Sequence, residues 1–287
     1  MNKPQSPHLI AILTMVASMA CLSTQDTFSK LLMLTLTPMI IIWTRYGVQT
    51  AMITVTILRK KSPHLFTTQQ ARLHLLRGSL VVCGSLFGYG ALQRIPVAEF
   101  TAIYCLVPLA VTLLARFVLK EKVTAIGWIF IAGGMTGALL VVRPAGDVDP
   151  TGATLALLGV ICYTGFQTLT GYLARKDSPL TIQFFTSLLG FSVMSGAVPF
   201  FWPGSMNGAE LGLLAFVAVA GSYGQFFMVL AFAKAPASVL SPYLYTAIGF
   251  SALGGWLMFN HLPDLWALTG MLMIAGFGMA SVWFNRR

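Results

Sequence analysis

Ala91-Leu-Gln-Arg-Ile-Pro96 recurs 140 residues later as Ala231-Phe-Ala-Lys-Ala-Pro236, and both copies lead into an apolar stretch. Further matches keep the same order and nearly the same offset: Gln25 with Gln167, Gly84 with Gly224, and Ile131-Ala-Gly133 with Ile274-Ala-Gly276. An ordered series of this kind indicates an internal repeat, which is the feature that decides the architecture. The predicted halves are residues 1–145 and 146–287.

The composition is typical of a membrane protein. Of the 287 residues, 56% are hydrophobic and only 9% are charged, whereas an ordinary soluble domain carries roughly 25% charged residues. So few charges cannot cover a soluble surface, and disorder requires low hydrophobicity together with high charge. The sequence therefore excludes an ordinary cytosolic enzyme and a disordered chain. It favours a multi-spanning protein embedded in a lipid bilayer.

Ten apolar segments are long enough, at roughly 20 residues each, to cross a bilayer as helices. They are 9–33, 38–58, 75–93, 97–117, 124–142, 152–174, 180–201, 210–232, 237–259 and 265–284. Each half contains five of them, and because five is odd, the second half enters the membrane upside down relative to the first. The predicted fold is an all-α polytopic membrane protein with ten transmembrane helices in two inverted five-helix repeats, an arrangement typical of secondary transporters.

The cations are distributed unevenly between the predicted loops. With a cytoplasmic N-terminus, 13 of the 18 Lys and Arg residues lie on the cytoplasmic side, Arg77 among them, and only Arg94 and Arg143 lie outside. Because positive loops stay in the cytoplasm, we predict a multi-pass protein of the inner membrane with both termini cytoplasmic. The first segment is too long for a cleaved signal peptide. The net charge of +10 is largely explained by these loops, and no nucleic-acid partner is predicted.

With these motifs, the sequence resembles the drug/metabolite transporter superfamily, specifically its ten-helix group built from two EamA-type domains. The resemblance covers nearly the whole chain and is clearest in Ala91-Leu-Gln-Arg-Ile-Pro-Val-Ala-Glu99, Pro108, Leu119-Lys-Glu-Lys122, Gly133 and Val141-Val-Arg-Pro144. Arg45 resembles the group's common helix-two arginine, and Lys30 resembles a basic residue near the end of helix one. The resemblance implies a transporter and does not select its solute.

The second half departs from the group's pattern at two places. Ile248 stands where a second proline is usual, and Asn260-His261 replaces the Leu-X-Glu turn that the first half carries at Leu119-Lys-Glu121. Members of the group move amino acids, vitamins, nucleotide-like metabolites and drugs, so the resemblance implies a small organic solute as the partner. It leaves the oligomeric state open.

Four charged residues lie in the outer half of the first repeat: Asp26, Lys30, Arg45 and Glu99. A charge within the membrane costs roughly 2.5–3.5 kcal/mol on insertion scales, so each one needs a partner or a function. Asp26 and Lys30 share one helical face and can pair directly. A neutralised pair, a role in solute or proton coupling, and snorkelling of Lys30 all fit this spacing. Together, the four charges predict either an outer gate or a static ion-pair brace.

Uncharged polar side chains in the apolar segments are candidates for the lining of a central cavity. Such groups need partners inside a membrane and therefore face protein or water. Aromatic faces with a few hydrogen-bonding groups suit a planar or amphipathic metabolite, although packing between helices and interfacial anchoring fit the same residues. The candidates are Gln25, Tyr89, Tyr104, Tyr163, Gln167, Tyr223, Gln225, Tyr243 and Tyr245.

Signatures of catalysis are lacking in the sequence. No GxxxxGK[ST], HExxH or GxSxG motif occurs, so neither ATP hydrolysis at a Walker motif nor those forms of hydrolytic chemistry are predicted. The histidines are assigned to termini or loops and the cysteines to buried free thiols: His8, His64, His74 and His261; Cys21, Cys83, Cys105 and Cys162. We predict no catalytic residue, no metal and no cofactor.

The predicted function is a secondary transporter that moves a small organic metabolite, such as an amino acid, a vitamin or a nucleoside-like solute, by alternating access. Proton coupling through Asp26 or Glu99, exchange and facilitated flux remain open alternatives, as does the direction of transport. The rival class is an intramembrane enzyme or lipid-handling protein, which would need paired catalytic groups at the membrane surface.

Overall fold

The fold is taken from a computed structural model of the full chain. The residues it describes are 7–107, 109–111, 114, 125–142, 149–173, 176–202, 204–235, 240 and 243–284. The family-typical Pro108 and Glu121, and the outer Arg143, lie outside these residues.

Ten α-helices can be given bounds within this part of the chain. They are α1 Pro7–Leu32, α2 Pro38–Arg59, α3 Ala71–Leu92, α4 Val97–Tyr104, α5 Ala125–Val142, α6 Pro150–Leu173, α7 Pro179–Ala197, α8 Gly208–Lys234, α9 Thr246–Phe259 and α10 Leu265–Phe284. Short 3₁₀ turns cover Pro63–Phe66 and Val198–Phe201. The described residues contain no strand, which confirms the all-α prediction.

Local sequence explains several of the helix starts. Pro38, Pro150 and Pro179 each stand at the first helical position, where the missing N–H costs nothing. The Ser178 side chain accepts a hydrogen bond from the Thr181 N–H. At α8 the Asn207 side chain accepts from the Glu210 N–H, and the Glu210 carboxylate accepts from the Asn207 N–H, which completes a capping box.

Within the part of the chain that the structure describes, five helices are long and apolar enough, by length and composition, to cross a membrane. They cover Leu9–Leu32, Ala71–Leu92, Pro150–Thr170, Pro179–Phe201 and Gly208–Phe232. Shorter apolar helices include Thr246–Phe259 and Leu265–Ala280. Their outward surfaces carry large apolar side chains such as Leu139, Ile161 and Leu272, as expected where helices face lipid. The chain is a polytopic helical membrane protein.

Helices α3 and α6 pack side by side in antiparallel directions. The C-terminal end of α3 meets the start of α6, where Arg94 Nε lies 3.5 Å from Asp149 Oδ2. The start of α3 meets the chain just after α6, where His74 Nε2 lies 2.7 Å from Asp177 Oδ2. Because the two contacts lie at opposite ends of the pair, they establish that the two helices run in opposite directions.

Helices α1 and α8 form the corresponding antiparallel pair. Early in α1, the Ser18 hydroxyl donates to the Gly224 carbonyl at 2.7 Å. Further along, the Phe28 ring lies 5.2 Å from the Phe216 ring, so the α8 number falls as the α1 number rises. Helix α1 also packs on α9, α6 on α4, α2 on α7 and α5 on α10. If each helix of α1–α5 is exchanged with its counterpart in α6–α10, the same set of pairs is obtained. The α1–α8 pair, for example, becomes the α6–α3 pair.

Helices α5 and α10 approach each other closely at a pair of glycines. A Cβ on Gly270 would lie 2.5 Å from the Gly137 carbonyl oxygen, and one on Gly137 would lie 2.8 Å from the Gly270 oxygen. Since both obstacles are backbone atoms of packed helices, no side chain can move aside to make room. Only glycine permits this crossing.

We expect Gly270→Ala to lower the midpoint of thermal unfolding in detergent, because the added methyl group forces α5 and α10 apart. Gly276→Ala is the matched control, since Gly276 lies in the same helix and a Cβ there meets nothing within 4 Å. Alanine is favoured over glycine in a helix by about 1 kcal/mol, so the control should leave the midpoint unchanged or raise it. Equal midpoints for the two variants would contradict the close approach.

Candidate functional site

A polar cavity lies between α2, α3, α6, α7 and α8. It contains about 670 Å³ of space not filled by atoms, part of which opens to the outside. Its lining combines two arginines, four glutamines, two threonines and an apolar wall: Arg45, Tyr46, Gln49, Arg77, Val81, Phe166, Gln167, Thr170, Gln183, Thr186, Gly221, Gln225, Met228, Val229 and Phe232. Both halves of the chain therefore contribute to one polar chamber.

Arg77 is a central residue of this cavity. Its Nε donates to Thr170 Oγ1 at 2.8 Å, and its Nη1 donates to the Ile182 carbonyl at 3.2 Å and to Thr186 Oγ1. The guanidinium lies 4.2 Å from the centre of the Phe166 ring, and the residue is only 4% exposed. The sequence-based assignment of Arg77 to the cytoplasmic loops was wrong, because α3 begins at Ala71 and turns this side chain into the bundle.

Arg45 lines the same cavity from α2. Its Nη2 donates to Ser85 Oγ at 2.8 Å, and its guanidinium lies 4.7 Å from the Tyr46 ring and 5.6 Å from the Tyr89 ring. Arg45 interacts electrostatically with Asp26, while its Nε is buried without a hydrogen-bond partner. Arg45 is thus held by neighbours on two helices and keeps at least one donor unused.

Asp26 and Lys30 do not form the salt bridge that their spacing allows. Asp26 Oδ1 accepts from Gln25 Nε2 at 3.0 Å. Lys30 Nζ instead donates to the carbonyls of Leu92, at 2.9 Å, and Ile95. These carbonyls lie at the end of α3, where a helix leaves its last C=O groups without internal partners. Of the alternatives that the sequence left open, direct pairing of the two side chains is the one the structure does not contain.

A second pocket lies near Lys30, with about 450 Å³ of space not filled by atoms, part of which opens to the outside. It is lined by Lys30, Pro96, Val97, Gly255, Phe259 and His261. Beside it, His261 Nε2 lies 3.0 Å from Glu99 Oε1, and Glu99 is only 4% exposed. We call this contact the Glu99–His261 bridge. It joins the start of α4 to the turn after α9, and therefore joins the two halves.

The turn after α9 explains how His261 reaches Glu99. The Asn260 N–H donates to the Trp256 carbonyl, and the His261 N–H donates to the Gly255 carbonyl, which is a Schellman end. Asn260 has a φ of 52°, a left-handed conformation that asparagine tolerates better than most residues. The departure from the family pattern at Asn260-His261 therefore has a structural consequence: it supplies the bridge to Glu99.

A second contact between the halves lies at the opposite end of the bundle. His74 Nε2 and Thr68 Oγ1 each lie 2.7 Å from Asp177 Oδ2. We call this contact the His74–Asp177 bridge. His74 is only 2% exposed, so its sequence-based assignment to a loop was wrong for the same reason as that of Arg77. Among the described residues, no group of three His, Cys, Asp or Glu side chains could hold a metal ion.

The His74–Asp177 bridge should show itself in the acid range. Partial burial disfavours the charged form of Asp177, but the hydrogen bonds from His74 and Thr68 and the charges of His74 and Lys176 outweigh it and hold the pKa of this carboxyl below its usual value. A depressed pKa contributes stability above the unfolded-state value, and that stability is lost as the pH falls through the folded value.

We therefore expect the thermal midpoint of the wild-type protein in detergent to fall as the pH decreases below about 4, the ordinary pKa of an aspartate. In Asp177→Asn the midpoint should be lower at neutral pH and should change less over the acid range. Asp149→Asn is a control, because Asp149 lies in the half-exposed pair with Arg94. Identical pH profiles for Asp177→Asn and the wild type would rule out a stabilising bridge.

The structure brings only part of the predicted site together. Arg45, Gln167 and Gln225 line the cavity. The Tyr163 side chain lies near that of Gln225, and Tyr89 lies between Gln25, Ser29 and Arg45. The charge of Asp26 interacts with that of Arg45, while Lys30 lines the second pocket and Glu99 forms the bridge beside it.

The other predicted tyrosines lie elsewhere. The Tyr104 hydroxyl donates to the Gly84 carbonyl and packs α4 against α3. Tyr245 packs against Gly278, Tyr243 contacts the apolar cluster of α1 and α8, and Tyr223 is 45% exposed on α8. The prediction of buried cysteines is confirmed only for Cys105, since Cys21 and Cys162 are partly exposed and Cys83 is exposed. An apolar sequence context does not distinguish an exposed position on a helix of this bundle from a buried one.

The fold and the cavity define a class: a polytopic helical membrane transporter with a polar chamber between its helices. The chain belongs to the EamA-like transporter family, whose sequence profile matches residues 9–143 and again residues 150–282. This result confirms the resemblance to the drug/metabolite transporter superfamily and the prediction that the chain is a transporter and not an enzyme.

The relatives are named as transporters of small molecules. An S-adenosylmethionine uptake transporter of Rickettsia prowazekii is 27% identical over 72% of this chain and 70% of its own. A riboflavin transporter of Brucella anthropi is 25% identical over 82% of this chain and 84% of its own. One protein of known crystal structure, 16% identical, superposes with a TM-score of 0.67 over 98% of each chain, which shows a shared fold.

Proposed function

We propose that this protein moves a small organic metabolite across the inner membrane by alternating access, with the polar cavity as the solute site. In this proposal, residues 1–145 and 146–287 are inverted five-helix repeats and both termini are cytoplasmic. The solute is an amino acid, a vitamin or a nucleoside-like metabolite, as the names of the relatives suggest. The observation that carries the proposal is the chamber lined by both halves with Arg45, Arg77 and four glutamines.

The helix directions support the inverted arrangement. Helices α3 and α6 run antiparallel, and Lys30 at the end of α1 contacts the end of α3, so α1 and α6 run in opposite directions. The exchange of halves that preserves the helix pairings also fits a two-fold relation between repeats. An inverted repeat permits one half to rock against the other around a fixed site.

The two bridges are suited to be the gates of such a cycle. The Glu99–His261 bridge and the His74–Asp177 bridge lie at opposite ends of α3 and its neighbours, and each connects the first half with the second. With both bridges formed, the halves are held together at both ends. Alternating access requires that one bridge opens while the other stays closed, so each histidine–carboxyl contact has a direct role in this proposal.

The direct test is uptake by proteoliposomes that contain the purified protein, with a metabolite panel analysed by mass spectrometry. We expect saturable accumulation of at least one solute without chemical change. Absence of flux for every solute class by folded protein would refute transport, and conversion of a solute into product would favour an enzyme. Repetition with an imposed pH gradient tests proton coupling. Under coupling, the gradient drives accumulation, and either Asp26→Asn or Glu99→Gln abolishes this effect.

A further inference from the structure

The cavity contains two guanidinium groups, while no carboxylate is among the described residues that line it. We propose that this cavity binds the oxyanion group, a carboxylate or a phosphate, of an organic solute with an apolar body, through Arg45 and Arg77. This inference rests on the proposed transport function and specifies the solute class of the same site. Three properties of the cavity support oxyanion binding: its hydrogen-bond donors, its charges and its walls.

Both guanidinium groups keep N–H donors that are not used within the described part of the protein. A guanidinium has five N–H groups in a fixed planar fork. Arg77 uses Nε and Nη1 for Thr170, Thr186 and the Ile182 carbonyl, and no described residue accepts from its Nη2. Arg45 uses Nη2 for Ser85, while its Nε is buried without a partner. A buried donor without a partner, such as Arg45 Nε, is costly. Both arginines therefore have N–H groups that no described residue of the protein occupies.

The charge balance around Arg45 and Arg77 also favours an anionic solute. Among the described residues, Asp26 is the one carboxylic acid whose charge interacts with Arg45, and it is not a lining residue of the cavity. The ionisable groups that interact with Arg77 are Tyr163 and Tyr46, and neither is a carboxylic acid. Two positive charges are therefore balanced by a single aspartate. A cation inside a membrane is costly unless it is paired, and an oxyanion in the cavity would provide the second negative charge.

The walls hold the arginines in place and leave room for the rest of the solute. Arg77 lies over Phe166 and Arg45 over Tyr46, so aromatic rings fix the planes of both guanidinium groups before a solute arrives. Planar, fixed guanidinium groups favour bidentate binding of carboxylate and phosphate. The lining also includes the apolar side chains of Met228, Val229 and Phe232 of α8. The combination suits an oxyanion attached to an apolar body.

The test uses pairs of solutes that differ only in the anionic group: nicotinate with nicotinamide, indole-3-acetate with indole-3-acetamide, and benzyl phosphate with benzyl alcohol. Binding is measured in detergent as a concentration-dependent rise of the thermal midpoint, and uptake is measured in proteoliposomes. We expect at least one anionic member to bind about tenfold or more tightly than its neutral partner, the change that one charge-assisted hydrogen bond makes.

Arg77→Gln should remove this preference, and Arg77→Lys, which keeps the charge but loses the planar fork, should restore only part of it. Arg72→Gln is the matched control, because Arg72 is an exposed arginine of the same helix. Equal binding of anionic and neutral members, or a preference that survives Arg77→Gln, would overturn the inference, and so would the absence of binding by all three anions. Binding of anions without uptake of any solute would leave the oxyanion site standing and would count against transport.

Discussion

A disulfide between Thr101→Cys and Ser251→Cys is expected to abolish uptake, and its reduction is expected to restore it. The two hydroxyl oxygens lie 2.7 Å apart and are buried, so sulfur atoms in their place can reach the S–S distance of about 2.05 Å with little backbone movement. Thr101 lies in α4 and Ser251 in α9, close to the Glu99–His261 bridge. The bond would therefore fix the two halves together at this end.

The experiment needs a background in which Cys21, Cys83, Cys105 and Cys162 are replaced, since all four are free thiols. The reduced double variant serves as its own control, because both substitutions conserve size and the measurement compares one protein before and after oxidation. Formation of the bond is followed by mass spectrometry. Full uptake by the oxidised protein would show that α4 and α9 do not separate during transport.

The sequence predicted most of the fold because its main signals are local. The length of the apolar segments defines the helices. Helix α2 begins at Pro38 and α10 begins at Leu265, both as predicted. Composition and the repeat then sufficed to predict the class of protein. In a membrane every backbone group must be satisfied within a helix, so few alternatives to a helical bundle exist for such a sequence.

The site was harder to predict, because its contacts connect residues far apart in the chain. Arg77 binds Thr170 and Ile182, which lie 93 and 105 residues away, and no local pattern encodes those partners. Helix α3 begins four residues before the predicted segment, at Ala71 instead of residue 75. That extension carries His74 into a helix and places Arg77 two turns inside it. Averaged hydropathy places the start of such a helix too late, because the polar and charged residues of its first turns lower the mean hydropathy there.

The prediction for the four intramembrane charges was correct in part. Their positions in the outer part of the first repeat led to the expectation of a functional cluster. The charges of Lys30 and Glu99 do interact, and Lys30 lines the second pocket. Arg45 instead lines the polar cavity, and its charge interacts with that of Asp26. Helical periodicity identified a possible partner for Asp26 on its own helix, but the charge that interacts with it lies on α2.

Neutralisation of Arg45 is therefore expected to have a much larger effect than neutralisation of Lys30. Arg45→Gln removes the charge that interacts with Asp26 and a donor to the cavity, so it should lower the thermal midpoint and reduce uptake to the level of protein-free vesicles. Asp26→Asn should lower the midpoint less, because Arg45 keeps its bond to Ser85 and its contacts with Tyr46 and Tyr89.

A double-mutant cycle distinguishes the two possible partners of Asp26. The stability losses of Asp26→Asn and Arg45→Gln should be less than additive, with a coupling of about 0.5–3 kcal/mol, the range for interacting residues. Asp26→Asn and Lys30→Gln should be additive, because Lys30 donates to the carbonyls of Leu92 and Ile95 and its charge interacts with Glu99 instead. Coupling of Asp26 to Lys30 and not to Arg45 would restore the pairing along α1 and would remove the aspartate from the cavity's charge balance. The oxyanion site would then have two unbalanced arginines and would require a solute with a higher negative charge.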